Sequence, residues 1–307
     1  MVVEILLIAA GLALLVLGGH LLVKGAVNLA LKLGITPLVV GLTVVAFGTS
    51  APELLVSLSA ALKGSSGIAM GNVVGSNIAN VLVILGVTSL VSVIVTRGHD
   101  LRESWAMMIA ASVLLIALAL TGEIGRLEGV ILLLALGATL WRQLSTGRVD
   151  QADLEGAELG ASWGKIALWL AGGLVALPIG ANMLVNGATE IARAAGISET
   201  VIGLTLVAVG TSLPELAASV ASALKGRADM ALGNVVGSNI FNILAILGIT
   251  AVVSPLPVPP EMLRLDLWVM LAAALLLAPF LFRGISMTRA VGAALVAAYG
   301  IYAWVLL

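Results

Sequence analysis

Apolar runs of about 20 residues, the length that crosses the hydrocarbon core of a bilayer, recur along the whole chain, with charged residues almost confined to the gaps between them. Taking charged clusters, Gly and Pro as punctuation, the pattern predicts ten helical spans, at 3–23, 36–62, 69–95, 104–121, 126–143, 164–186, 199–224, 229–253, 265–282 and 287–306. Trp105, Trp141, Trp163, Trp169, Trp268 and Trp304 all fall near predicted span ends, where an amphipathic ring settles at headgroup level. The first run, Ile5 to Leu22, has Glu4 where a secretory leader has a basic flank, and it is longer than a leader's apolar segment. It reads as the first membrane helix.

A repeat is laid over this pattern. GLTVVAFGTSAPELLVSLSAALKGSSGIAMGNVVGSNIANVLVILG, from Gly41 to Gly86, aligns without a gap to GLTLVAVGTSLPELAASVASALKGRADMALGNVVGSNIFNILAILG, from Gly203 to Gly248, with about two thirds of positions identical. The offset is a constant 162 residues, and Leu22, Val23 and Gly25 carry it backwards to Leu184, Val185 and Gly187. Five spans per copy is an odd number, so the second copy enters the membrane from the opposite side. Many secondary transporters have such an inverted-topology repeat and bind substrate near the midplane on its pseudo-two-fold axis. The gaps after the odd-numbered spans hold 11 Lys and Arg, and those after the even-numbered spans hold 4. The positive-inside rule therefore makes the first set cytoplasmic and leaves both termini outside.

The predicted fold is an all-α polytopic membrane protein of ten transmembrane helices, in two inverted-topology five-helix repeats at 1–145 and 164–307, with N-terminus and C-terminus outside. A short acidic cytoplasmic linker, 146–163, joins them. Its Asp150, Asp153, Glu155 and Glu158 lack EF-hand spacing and read as a solvated loop. Pro255, Pro257, Pro259 and Pro260 read as a stiff external loop.

Composition excludes several classes of function. Of 307 residues, 61% are hydrophobic and 10% charged, against roughly 25% charged in an ordinary soluble domain. No separate soluble domain is expected, and the partner the sequence demands is the lipid bilayer. A net charge of -1 spread over helix ends offers nothing to nucleic acid, and no protein partner is called for. The chain has no cysteine, which removes disulfides, thiolate metal sites and Cys nucleophiles. GNVVGS superficially resembles a glycine-rich nucleotide loop, but no strand precedes it. The pairs Gly71 and Gly75, and Gly233 and Gly237, read as close helix packing, and no cofactor is expected. His20 and His99 fall at span ends, do not repeat, and receive no role.

The chemistry lies in the repeated motif. Glu53 precedes Lys63 by ten residues and Glu215 precedes Lys225 by ten, which at helical rise sets each carboxylate roughly 15 Å deep, about half the hydrocarbon thickness. Ser50-Ala51-Pro52-Glu53 and Ser212-Leu213-Pro214-Glu215 fit a capping box with Pro just inside a new helix. A cap is worth about 1 kcal/mol, whereas a carboxylate at the bilayer centre costs about 3 kcal/mol or more. Capping is therefore a secondary role, and with no Lys or Arg at that depth the charge requires a proton or a bound cation. Around it the motifs supply the hydroxyls of Thr49, Ser50, Ser76, Thr211, Ser212 and Ser238, and the amides of Asn80 and Asn242. An all-oxygen set suits hard ions such as Ca²⁺ or Na⁺ rather than Zn²⁺ or Cu⁺. Thr49 with Glu53, and Ser76 with Asn80, stand at i, i+4, which places each pair on one face of a regular helix.

The paired GTS-x-PE and GNVVGSN-x-x-N motifs resemble the two alpha repeats of the sodium/calcium exchanger family, within the cation/calcium antiporter superfamily, and most of all its short prokaryotic members. The resemblance covers essentially the whole chain. It implies Glu53 and Glu215 as principal metal ligands, with Thr49, Ser50, Thr211, Ser212, Ser76, Ser238 and Asn80 in support and the backbone carbonyls of Ala46 and Ala208 as further donors. Asn242 completes the set; some relatives, potassium-dependent exchangers among them, carry Asp there, so Asn242 implies potassium independence. The resemblance further implies a prokaryotic cell membrane, a static core of motif helices and a gate made by the first and sixth spans. The function expected is electrogenic exchange of Na⁺ for Ca²⁺ without covalent chemistry, so not an enzyme. H⁺/Ca²⁺ exchange through the same glutamates and a cation channel are the alternatives.

Overall fold

The computed structural model describes residues 2–96, 101–146, 161–195 and 210–306. They form α1 (Val2–Leu33), α2 (Pro37–Thr49), α3 (Ala51–Leu62), α4 (Ser66–Val91), α5 (Arg102–Ala119), α6 (Arg126–Thr146), α7 (Trp163–Ala194), α8 (Leu213–Leu224), α9 (Ala228–Val253), α10 (Met262–Arg283) and α11 (Arg289–Leu306). Among the described residues eight helices are long and apolar enough to cross a membrane, and α2 with α3, bent by 44° where they meet, makes a ninth. Of the predicted span at 199–224 only the end, α8, is described. The first part of that span, most of the linker, His99 and Ala208 lie outside the described residues.

The repeat is inverted in space. Along α1 and α7, which correspond in the two copies, Gly25 meets Leu170, Gly18 meets Leu177, Gly11 meets Gly180 and Gly187 meets Glu4, so one helix rises as the other falls. Gly11, Gly18 and Gly25 recur every seven residues, and so do Gly173, Gly180 and Gly187. The seam they form brings backbone against backbone. A Cβ built on Gly11 would lie 2.7 Å from the Gly180 carbonyl oxygen, and one on Gly180 would lie 2.8 Å from that of Gly11. In a membrane, where apolar side chains gain nothing by leaving lipid, such close approach supplies the attraction between helices.

The centre of the molecule is α4 and α9. Every residue from Ala228 to Phe241 is buried, as a helix apolar on all sides requires. Gly233 and Gly237 of α9 pack on α2, where added Cβ atoms would come within 3.2 Å of the Leu38 carbonyl oxygen and 2.6 Å of that of Leu42. Gly86 of α4 lies against Gly292 of α11, and Gly248 of α9 lies against Gly129 of α6, a matched pair of contacts on the two sides of the core.

Three expectations need correction. α1 and α7 run to Leu33 and Ala194, well past 23 and 186, because no breaker intervenes; α1 stops before Gly34, whose φ of +68° a side chain would resist. Lys24 and Lys32 are therefore helical, not loop residues. The third span ends at Val91, where Ser92 turns extended and Ile94 forms a bridge with Met287. The proline-rich segment is not simply a loop: β2 (Leu256–Pro257) pairs antiparallel with β1 (Glu123–Ile124), and Leu256 and Ile124 are fully buried.

The seam yields a test. Gly180→Val should destabilise the protein by about 1–3 kcal/mol, the usual cost of overpacking, visible as a lower Tm in detergent. Gly137→Ala, where a Cβ meets nothing within 4 Å, should leave Tm unchanged or raised. Equal behaviour of the two variants would contradict the seam.

Candidate cation site

The site begins at two helix breaks. Pro52 and Pro214 lack the N–H that would continue the preceding helix, and Ser50 (φ −84°, ψ 4°) and Ser212 (φ −90°, ψ 5°) take matching conformations at the starts of α3 and α8. Each break places a glutamate in the first turn of a new helix, where the dipole favours negative charge by about 0.3–1 kcal/mol. Glu53 and Glu215 are each 1% exposed. Among the described residues neither makes an ion pair.

Capping does not account for them. The backbone at Ser50 and Ser212 is not the extended form an N-cap adopts, and neither side chain caps its helix. The Ser50 hydroxyl instead donates across the two-fold to Glu215 Oε1 at 3.1 Å, while its N–H bonds to the Ala46 carbonyl at 3.0 Å. That carbonyl also accepts from the Thr49 hydroxyl at 3.3 Å. Thr49 ends α2 and Glu53 begins α3, so the regular-helix relation between them is interrupted by the bend.

Asparagines hold the acidic turns in place. Asn72 donates to the Glu53 carbonyl (3.1 Å) and to Ser57 Oγ (2.9 Å); Asn234, its counterpart, donates to the Glu215 carbonyl (3.2 Å) and to Ser219 Oγ (3.0 Å). Thr49 Oγ1 reaches Asn234 Oδ1 at 3.5 Å, a second link between repeats. Asn80 and Asn242 each open a π-helical turn, Asn80–Ile84 and Asn242–Leu247, of the kind that marks functional sites. Ser76 and Ser238 are buried one turn before them.

Among the described residues, Glu53 Oε2, Glu215 Oε2, Asn80 Oδ1, Asn242 Oδ1, Ser212 Oγ and Ser238 Oγ are buried with no hydrogen-bond partner. Each such group costs about 1–3 kcal/mol, so the six together rival a typical net stability of about 5–15 kcal/mol. A fold keeps such a set when a ligand satisfies it. The buried hydroxyls of Thr88 and Thr250 also lack partners, but stand about 12 Å of helix rise beyond the two asparagines. Among the described residues no three His, Cys, Asp or Glu side chains gather as metal ligands, so the donor chemistry is two carboxylates completed by neutral oxygens, suited to a hard cation. A cavity of about 330 Å³ is lined by Pro52, Thr211 and Pro214 at the breaks and by Pro178, Ala181 and Asn182 of α7. Of the residues expected at the site, all but Ala208 are described, and the breaks and the π-helical turns carry the principal ones.

Sequence reasoning passed over Asn72, Asn234, Asn77, Asn239 and the α7 residues that line the cavity. The four asparagines carried a usable signal, since each repeats at the same 162-residue offset as the glutamates.

An inverted helical repeat that holds two unpaired carboxylates in an all-oxygen site defines a secondary ion transporter of the cation/Ca²⁺ antiporter kind, not an enzyme. The chain belongs to the family described as sodium/calcium exchanger protein, which matches residues 3–145 and 165–307. It is 36% identical to the sodium/calcium exchanger MaX1 of Methanosarcina acetivorans, over 97% of this chain and 96% of that one. It is 38% identical to the inner membrane protein YrbG of Escherichia coli, over 90% and 88%. Its fold is similar to a solved structure of the sodium-calcium exchanger NCX_Mj, with a TM-score of 0.86 and 31% identity over 100% of this chain and 99% of that one. The protein is thus an integral, multi-pass membrane transporter.

Occupancy of the site is measurable without transport. Ca²⁺ should raise the Tm of the detergent-purified protein, by the equivalent of about 2.7 kcal/mol at a hundredfold excess over Kd. Glu53→Gln combined with Glu215→Gln should abolish that shift; a shift of wild-type size in the double variant would refute the assignment.

Proposed function

We propose that the chain is an electrogenic, potassium-independent Na⁺/Ca²⁺ antiporter of a prokaryotic cell membrane, working by alternating access. The observation that carries this reading is the pair of buried glutamates, one from each repeat, whose outer oxygens find no partner within the protein. One Ca²⁺ balances their two charges. Released, the site holds uncompensated charge at membrane depth, costing at least about 2.5–3.5 kcal/mol per carboxylate. The site therefore crosses only when reloaded, and exchange is obligatory.

Na⁺ reloads the same oxygens. Two Na⁺ would cancel the carboxylates; a third makes the cycle carry net charge. The repeat supports a third place by duplicating the lateral donors: Ala46, Thr49 and Ser76 beside Glu53, and Ala208, Thr211 and Ser238 beside Glu215. Asn242 supplies a neutral oxygen, which leaves no third carboxylate to balance a co-transported K⁺. In this reading the ten spans form two five-helix repeats, 1–145 and 164–307, with both termini outside and the linker 146–163 in the cytoplasm. α1 and α7, joined by the glycine seam, slide as one gate.

In proteoliposomes an outward-directed Na⁺ gradient should drive saturable Ca²⁺ uptake that responds to a clamped membrane potential and not to added K⁺. Uptake driven by a pH gradient in Na⁺-free buffer would establish H⁺/Ca²⁺ exchange instead, and non-saturating flux without a counter-ion would establish a channel. Topology is tested separately, on a chain without native cysteine. Lys63→Cys should react with an impermeant thiol reagent from outside the cell and Lys225→Cys only from the cytoplasmic side; labelling of both from one side would rule out the inverted arrangement.

A further inference from the structure

An asparagine that ligands a cation must present its carbonyl oxygen, yet its side-chain amide has nearly the same shape when turned by 180°. Turned, it would aim an NH₂ group at the ion. Something must hold Asn80 and Asn242 in the productive sense. Each gives its NH₂ to an asparagine of the opposite repeat: Asn80 Nδ2 donates to Asn239 Oδ1 at 2.9 Å, and Asn242 Nδ2 donates to Asn77 Oδ1 at 3.1 Å. Both Oδ1 atoms of the ligand pair are left without a partner.

The sense of these bonds is set from behind. Asn239 Nδ2 donates to the main-chain carbonyl of Asn77 at 3.3 Å and lies 3.6 Å from Met108 Sδ. A carbonyl and a thioether only accept, so Asn239 must keep its NH₂ there and offer its oxygen to Asn80. Asn77 Nδ2 in turn faces Met270 Sδ at 3.5 Å. All four asparagines are at most 2% exposed, and so are both methionines, which leaves water little access to replace these partners. Asn77 and Asn239 stand 162 residues apart, as do Met108 and Met270, so the device is built once in each repeat.

We propose that Asn77 and Asn239 are positioning residues that polarise the ligand amides, each turning the carbonyl oxygen of the opposite repeat's asparagine into the cation site. The proposal rests on the Na⁺/Ca²⁺ antiport reading for its ligand and goes beyond it in assigning what orients the donors. Outer-sphere partners of this kind typically alter metal affinity about 10–100-fold when removed. The two arms differ in one respect: a main-chain carbonyl anchors Asn239, whereas Asn77 is anchored through sulfur, a weaker acceptor.

A double-mutant cycle isolates orientation from packing. Asn239→Leu should raise the Ca²⁺ KM of Na⁺-driven uptake about tenfold or more in the wild-type background. In an Asn80→Asp background the side chain presents oxygen whichever way it turns, so adding Asn239→Leu should change KM less than about twofold. Equal losses in both backgrounds would reduce Asn239 to a packing role and overturn the proposal; so would an unchanged KM in the first. Asn77→Leu with Asn242→Asp repeats the cycle on the other arm, so a single misfolded variant does not remove the test. Running the same cycles on the Ca²⁺-induced shift in Tm separates the two ideas: wild type that binds Ca²⁺ but shows no Na⁺-dependent uptake defeats the antiport reading, while the cycle still decides the relay.

Discussion

Two carboxylates enclosed in apolar helices without a basic partner are the constraint to which the other features of the site answer. Their burial would be ruinous in a protein meant to keep them ionised and unliganded. The surroundings are accordingly arranged to receive positive charge: helix N-termini behind the acids, backbone carbonyls of the acidic turns clamped by Asn72 and Asn234, and amide and hydroxyl oxygens facing inward. No single repeat could supply this. Ser50 of one copy donates to Glu215 of the other, and Thr49 reaches Asn234, so the site exists only where the halves meet.

Duplication of a motif in opposite senses gives the protein two chemically similar faces, yet the copies are not identical in their supporting contacts. Asn239 leans on a main-chain carbonyl and Asn77 on a methionine sulfur. Gly19 of α1 sits so close to α8 that a Cβ there would lie 2.9 Å from the Ala217 carbonyl oxygen, whereas α7 carries Ala181 at the corresponding place, beside the cavity at the helix breaks. The structure is thus tight where α1 crosses α8 and roomier where α7 passes Pro52 and Pro214.

Much of this was legible in the chain because duplication suppresses accident. A lone Glu53 after Ser-Ala-Pro could have been dismissed as a cap; recurrence at Glu215 with the same neighbours could not. What stayed hidden depended on partners distant in sequence. The length of α1 follows from packing on α7, which holds Lys24 and Lys32 in helix where a hydropathy count would end the span. The pairing of Leu256 with Ile124 joins segments that look like ordinary connections. The roles of Asn77 and Asn239 needed the sense of a hydrogen bond, and no residue pattern encodes that.

The extra length of α1 has a bearing on the surrounding lipid. Its last third runs beside the start of α7, with the Lys24 ammonium 4.0 Å from the centre of the Trp169 ring and that of Lys32 5.9 Å from the Trp163 ring. Ammonium groups and indoles are the side chains that settle among headgroups, and each Lys gains about 1 kcal/mol near an anionic leaflet. Axial travel of this helix pair drags that cluster through the headgroup layer, so phospholipid charge acts as a viscous brake on the moving part, and the membrane's own composition becomes one of the terms that set turnover.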